Sequence, residues 1–298
     1  MTPIIADRRG LATLLNRLEA SPRLWVGGDP QTLSALDHAY RHPRHGAKVI
    51  GLTGPPGVGK STLSGRLIKA WRKRGLTVGV LCIDPSSKRS GGALLGDRLR
   101  MQLDQIDDGV FVRSMAARDR LGGLAPTTLE AVIAMRHHCD RVLIETVGVG
   151  QSETDIADIS DATLVVIQPG SGDMLQFVKA GLMEVFDALV VNKSDLGPLA
   201  DATRRELMAA LRAQGRRDAA VFMTSAKDDL GIDSMIEHLE NRDNHPDHLP
   251  AALRERAVTE YATWHGMAKV HTDGGLESLR QRLAQATTPA ALANLLTR

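Results

Sequence analysis

The sequence predicts an α/β fold, with a mostly parallel sheet flanked by helices and helical extensions at both ends. Three observations carry this. Strand-like apolar runs alternate with stretches of helical period through the middle of the chain. A glycine-rich turn joins the first of these strands to the helix that follows it. Every motif that bears chemistry falls at the carboxyl end of a strand, where open parallel sheets bind their ligands.

The elements follow in order. Residues 7–20 place Leu11, Leu14, Leu15 and Leu18 on one helical face. A second helical stretch, 31–41, leads into the basic turn Arg41–Gly46. Strands are expected near 48–53, 77–83, 110–114, 141–146, 162–167, 187–191 and 219–224. Helices are expected near 60–74, 127–138, 174–185, 198–214 and 231–240. Asn241–Pro250 is polar and reads as a linker. Residues 250–298 look helical, with Leu276, Leu279, Leu283, Leu292, Leu295 and Leu296 as apolar positions. That tail is too short for a core of its own, so it must pack on the main domain or on a second subunit. The resulting partition is an N-terminal helical extension (1–46), a nucleotide-binding domain (47–240), and a linker with a C-terminal helical arm (241–298).

Bulk properties narrow the classes. A chain of 298 residues with 43% apolar content is globular and large enough for one sizeable α/β domain. Its formal net charge of +2 gives no global electrostatic case for nucleic acid. No apolar stretch approaches the ~20 residues that span a bilayer. The N-terminus lacks the apolar region of a signal peptide, so a cytoplasmic protein is expected. Of the two cysteines, Cys82 lies in a strand-like run and Cys139 follows His137 and His138. Adjacent histidines at a helix end face different ways, which argues against a metal cluster there.

Gly54-Pro55-Pro56-Gly57-Val58-Gly59-Lys60-Ser61 fits the phosphate-cradling pattern G-x-x-x-x-G-K-[ST]. The run Val49–Thr53 before it reads as a buried strand, and Thr62–Arg74 after it reads as a helix. Glycines let backbone N–H groups converge on phosphate oxygens, and the helix N-terminus adds its dipole. Lys60 would reach the β- and γ-phosphates, and the Ser61 hydroxyl would ligate Mg²⁺.

Asn192-Lys193-Ser194-Asp195 follows the strand-like run Ala188–Val191, about 130 residues after the phosphate loop. A carboxylate there can accept from both N1–H and the exocyclic amine of guanine; adenine offers no matching pair. Asp195 therefore favours GTP over ATP, with Asn192 and Lys193 bracing the loop and covering the base. Thr224-Ser225-Ala226-Lys227 follows another apolar run and resembles the second guanine-contacting loop of GTPases.

Three carboxylates at strand ends or in the following loops, Asp84, Asp97 and Glu145, are placed to hold Mg²⁺ directly or through water. Singly, each reads equally as a cap or a solvated loop acid; as a set beside a phosphate loop they read as a metal and switch apparatus. Glu145 stands where most GTPases carry the Asp of D-x-x-G. Gly148 would donate its N–H to the γ-phosphate, so that loss of this phosphate frees the loop.

Taken together, these segments resemble the methylmalonyl-CoA mutase-associated GTPases, the MeaB/ArgK family of G-protein chaperones. The resemblance is carried by Gly54–Leu63, Asp84–Met101, Phe111–Met115 through Leu121–Leu124, and Glu145–Glu153. It continues in Gln168–Asp173 through Lys179–Gly181, Met183-Glu184 and Asn192–Asp195, and covers roughly residues 7–240. It implies a P-loop NTPase of the SIMIBI type and a slow GTPase using GTP/GDP and Mg²⁺. It also implies a homodimer formed through a C-terminal helical arm, and a partnership with an adenosylcobalamin-dependent acyl-CoA mutase whose cofactor loading is gated and which is protected. By residue matching, Lys60 and Ser61 take the phosphate and magnesium roles, and Asp84, Asp97 and Glu145 the Mg²⁺ and nucleotide response. Gln168–Lys179 takes the place of an extra switch toward the mutase.

Two other functions share the fold. A metallochaperone GTPase for a nickel enzyme needs a Cys/His site near the switches, and Cys139 precedes a strand at the opposite end. A P-loop kinase needs ATP preference, against which Asn192–Asp195 argues.

Overall fold

The structure is a computed structural model that describes residues 7–21, 23–84, 107–116, 124–125, 127–146, 152–170, 186–242 and 248–297. It divides into two compact units: residues 48–126 with 141–244, and residues 1–47 with 127–140 and 245–298.

The first unit carries a seven-stranded sheet, every strand parallel to its neighbours. Its strands are β1 (Lys48–Thr53), β2 (Val78–Asp84), β3 (Val110–Ala116), β4 (Arg141–Thr146), β5 (Ala162–Ile167), β6 (Ala188–Val191) and β7 (Ala220–Met223). The spatial order is β3-β2-β4-β1-β5-β6-β7. β5 and β6 are buried along their whole length because helices cover both faces, which is why they read as continuous apolar runs. Alternation assigns their side chains to opposite faces. Leu164, Val166, Ala188 and Val190 join one core cluster with Leu63, Leu67 and Trp71. Val165, Ile167, Leu189 and Val191 join the other with Leu207 and Leu211.

The helices of this unit are α3 (Lys60–Lys73), α5 (Ser152–Ala157), α6 (Pro198–Ala213) and α7 (Ile232–Asn241). The Lys48 ammonium closes the C-terminus of α7 by donating to the carbonyls of Leu239 (3.0 Å), Glu240 (2.6 Å) and Arg242 (2.5 Å). The Glu240 carboxylate in turn pairs with Arg141 and accepts from Trp71 Nε1 at 3.1 Å.

The second unit is helical: α1 (Arg8–Ala20), α2 (Pro30–Arg41), α4 (Thr128–His138), α8 (His248–Thr272, broken at Gly266), α9 (Gly275–Leu283) and α10 (Pro289–Leu296). Leu11, Leu14, Leu15 and Leu18 are buried, as their spacing predicts. Asp7, Asp29 and Thr288 cap α1, α2 and α10, the last two followed by Pro at the first helical position. The C-terminal helices pack with N-terminal helices inside this unit: α10 lies on α2, and the Asp37 carboxylate accepts from Ala290 N at 2.9 Å. Asn241–Pro250 differs from its sequence reading as a linker. Asn241 ends α7, and His248–Pro250 already belong to α8. Pro250 is tolerated because the first helical turn lacks intrahelical N–H partners.

The interior of the helical unit holds a charged network. Glu260 Oε1 accepts from the backbone N–H groups of Leu24 (2.9 Å), Trp25 (2.7 Å) and Val26 (3.0 Å). Arg256 lies between Glu130 (3.2 Å) and Glu260 (3.5 Å), and Trp25 Nε1 donates to Glu130 at 3.2 Å. Burial of Glu130 pushes its carboxyl above the usual carboxylate range, against the opposing pull of Arg256.

Candidate functional site

β1 delivers the chain at Thr53, α3 receives it at Lys60, and the turn between them is dictated by glycine. Gly54 has φ +138°, and a Cβ there would lie 2.1 Å from the Val166 carbonyl oxygen. Gly59 has φ +96°, and a Cβ there would lie 2.5 Å from Asn192 Nδ2. No other residue fits either position. Between them Pro55 is half-buried, Pro56 and Gly57 are exposed, and Val58 is fully buried in the core, which anchors the loop. Gly59 supplies no side-chain cap to α3, so the N-terminal amides of this helix keep their capacity for an anion. Thr62 is half-buried in its first turn.

Lys60 is buried and folds back over the loop, its ammonium donating to the carbonyls of Gly54 (2.6 Å) and Pro55 (2.8 Å). Glu145, near the end of β4, receives the Ser61 hydroxyl on Oε1 at 2.5 Å and the Ser64 hydroxyl on Oε2 at 2.8 Å. The sequence-predicted pair Ser61 and Glu145 is thus brought together. A hydroxyl beside a carboxylate is a hard oxygen set that suits Mg²⁺, which takes one or two protein ligands and fills its octahedron with water and phosphate. Among the described residues, no group of three or more His, Cys, Asp or Glu is arranged to hold a metal ion. Asp84 ends β2, whose Cys82 and Ile83 stand in register with Glu145 and Thr146. The side chain of Asp84, together with Asp97, Gly148, Asp173 and Lys179, lies outside the described residues.

The residues expected to select the base converge from the other side. Asn192 is buried and holds three segments: Nδ2 donates to Val58 O at 2.9 Å, while Oδ1 accepts from Ala226 N (3.1 Å) and Thr224 Oγ1 (3.2 Å). Lys193, at φ +61°, donates to Gly57 O (2.8 Å) and to Gln168 Oε1 (2.5 Å), tying the first residue of the expected extra switch to the phosphate loop. Asp195 is exposed, and one of its oxygens stands 2.9 Å from the Ser225 hydroxyl. Ser225 and Ala226 are buried, and Lys227 is exposed.

Three contributors were not legible beforehand. Ser64 shares the α3 face of Ser61 at i+3, a spacing that could have signalled it. Arg66 donates to Ala226 O (2.7 Å) and Lys227 O (2.9 Å), holding the Thr224–Lys227 loop from behind. Thr146 donates to Thr53 at 3.1 Å, pinning the ends of β4 and β1. The last two carry no local signal, since either reads as an ordinary helix-face or strand residue.

The sequence model of the family described as Methylmalonyl Co-A mutase-associated GTPase MeaB matches residues 33–272. The chain belongs to this family. A Pyrococcus abyssi relative named "Putative GTPase" is 55% identical over 206 residues, which is 69% of this chain and 61% of the relative. The mouse mitochondrial methylmalonic aciduria type A homolog is 37% identical over 223 residues, 72% of this chain and 53% of the relative. This MeaB-family chain therefore spans less than two thirds of the length of these relatives. Among solved structures, an LAO/AO transport system kinase shares the fold at TM-score 0.50 and 24% identity, covering 94% of this chain and 88% of that one. HypB from Archaeoglobus fulgidus does so at TM-score 0.52 and 20% identity, covering 76% and 97%. These likenesses bear on the fold, a parallel seven-stranded sheet flanked by helices of the P-loop NTPase kind.

Proposed function

We propose that this chain is a GTP-hydrolysing chaperone for an adenosylcobalamin-dependent acyl-CoA mutase, gating cofactor loading and protecting the mutase. The observation that carries the nucleotide half is the Asn192 carboxamide, which joins the phosphate loop at Val58 to the second guanine loop at Thr224 and Ala226. The mutase half rests on membership of a family described by its association with that enzyme.

In this reading the Lys60 ammonium exchanges the Gly54 and Pro55 carbonyls for β- and γ-phosphate oxygens. The α3 amides and the loop backbone from Gly54 to Thr62 bind the same phosphates. Asp195 accepts from guanine N1–H and its amine, with Ser225, Ala226 and Lys227 lining the base. Ser61, with Asp84, Asp97 and Glu145, would hold Mg²⁺, which supplies neutralisation of charge developing on the phosphates. Gly148 senses the γ-phosphate. Gln168, joined to Lys193, begins the element that reports nucleotide state to the mutase. The chain works as a homodimer in the cytoplasm. No helix among the described residues is long and apolar enough to cross a membrane, and Cys82 and Cys139 are buried and form no disulfide.

The test is GTP turnover with and without an adenosylcobalamin-dependent acyl-CoA mutase from the same source. Wild type is expected to turn over slowly alone and faster with the mutase. Asp173→Ala and Lys179→Ala should stay within about tenfold of basal turnover, a barrier change of ~1.4 kcal/mol, while losing the stimulation. No stimulation of wild type would overturn the mutase assignment.

A further inference from the structure

We propose a second anion site, distinct from the phosphate loop, in the cleft between α3 and the start of α7; its ligand is a small free phosphate or diphosphate. The cleft has a volume of about 220 Å³. That is below the ~300–1,000 Å³ of sites that hold whole drug-sized ligands, so it suits a single compact group. Four cations line it: Arg66, Lys69, Lys73 and Arg74. Two carboxylates, Asp229 and Asp233, line it as well, which leaves a balance of 4 − 2 = +2. A phosphate group carries about −1.5 to −2 at neutral pH, which matches that balance.

Three of the four cations are not accounted for by the fold. Arg66, Lys69 and Lys73 fall at i, i+3 and i+7 on one face of α3, so they converge rather than spread. Lys69 and Lys73 are like charges one turn apart, an arrangement that opposes the helix unless an anion sits between them. Lys69, Lys73 and Arg74 have no ion-pair partner among the described residues. Arg66 has five N–H donors and spends one Nε and one Nη2 proton on Ala226 O and Lys227 O; Asp229 stands 3.9 Å from Nε. Its remaining donors are available to a phosphate oxygen. The cleft also meets the first turn of α7 at Ile232 and Asp233, and this helix has Gly231 at its N-cap with no side-chain cap. Its amides add to the same positive field.

Arg66 makes the site more than a surface patch. The guanidinium that faces the cleft also holds the Ala226 carbonyl, and the Ala226 amide donates to Asn192. An anion that draws Arg66 toward Lys69 and Lys73 therefore acts on the loop read above as guanine-contacting. Phosphate in the cleft changes guanine nucleotide affinity; this coupling rests on the nucleotide assignment, whereas the anion site does not.

The experiment is calorimetric titration of pyrophosphate into protein saturated with GDP, so that the phosphate loop is filled. Wild type should take up one equivalent. The Lys69→Glu/Lys73→Glu variant should bind it at least tenfold more weakly, with GDP affinity in the absence of pyrophosphate within twofold of wild type. Saturating pyrophosphate should shift GDP affinity of wild type at least threefold and leave that of the variant unmoved. Equal pyrophosphate binding by wild type and variant, or none by wild type, overturns the site. If GDP itself does not bind, the guanine assignment fails, and the difference between wild type and variant with pyrophosphate alone still decides the cleft.

Discussion

Asn192 Nδ2 donates to the Val58 carbonyl oxygen at 2.9 Å, joining two loops that lie 134 residues apart in the chain. The other end of the same carboxamide holds Ala226 N and Thr224 Oγ1. Asn192→Ala should strand buried polar groups on both loops, at a cost of about 1–3 kcal/mol. The melting midpoint should fall by several degrees, and GDP affinity should fall with it. Scanning calorimetry and a GDP titration check this; an unchanged midpoint would show that the bridge contributes nothing.

The glycines of the phosphate loop differ in what they forbid. Gly57 has φ +80° with nothing within 4 Å of an added Cβ, whereas at Gly54 the Cβ would meet a backbone oxygen at 2.1 Å. Gly57→Ala should cost about 1–2 kcal/mol, the left-handed penalty alone. Gly54→Ala should cost clearly more, because backbone cannot step aside. Comparing their denaturation midpoints tests this ordering, and equal losses would contradict it.

Asp195→Asn should weaken GDP binding and admit xanthine nucleotides, because an amide can donate where the carboxylate only accepts. Ser225, 2.9 Å from Asp195, keeps the loop in place in the variant. Titration with GDP, ADP and XDP reads the change. ADP bound by wild type as tightly as GDP would refute guanine recognition.

Glu145→Gln should cut GTP turnover at least tenfold, ~1.4 kcal/mol of barrier, and weaken its dependence on Mg²⁺. The fold should hold, since the amide can still hydrogen-bond Ser61 and Ser64. Turnover across a Mg²⁺ series, alongside a melting curve, separates loss of chemistry from loss of structure. Full turnover in the variant would remove Glu145 from the site.

Glu130→Gln should stabilise the protein relative to wild type increasingly as pH rises. Burial raises the Glu130 carboxyl above its ordinary value of 4.5. Below that value both folded and unfolded states hold the proton, and no penalty arises. Above it the unfolded state releases the proton first, so wild type loses stability until the raised folded value is passed, and the penalty then persists. The gap in midpoint between variant and wild type should widen from pH 4 to pH 8; a constant gap would mean that Glu130 stays ionised, held by Arg256.

The glycine-rich turn of Gly54–Ser61 and the strand-end position of Asn192–Asp195 were legible in the sequence because each is local: residue types at fixed spacing, after an apolar run, with glycines only where the backbone demands them. The alternation of strands and helices was legible for the same reason, since a strand buried on both faces must be apolar throughout. Spacing also announced the buried face of α1. What spacing could not announce is which distant segments meet. Only the tertiary structure gave the strand order, put Ser64 under Glu145 and set Arg66 behind Ala226. Packing also drew α10 onto α2 and buried Glu130 and Glu260 around Arg256. These relations depend on contacts across tens to hundreds of residues, and their residues look locally like ordinary helix faces. Sequence periodicity fixes which face of an element is buried, but the partner that buries it is chosen by the packing of the whole chain.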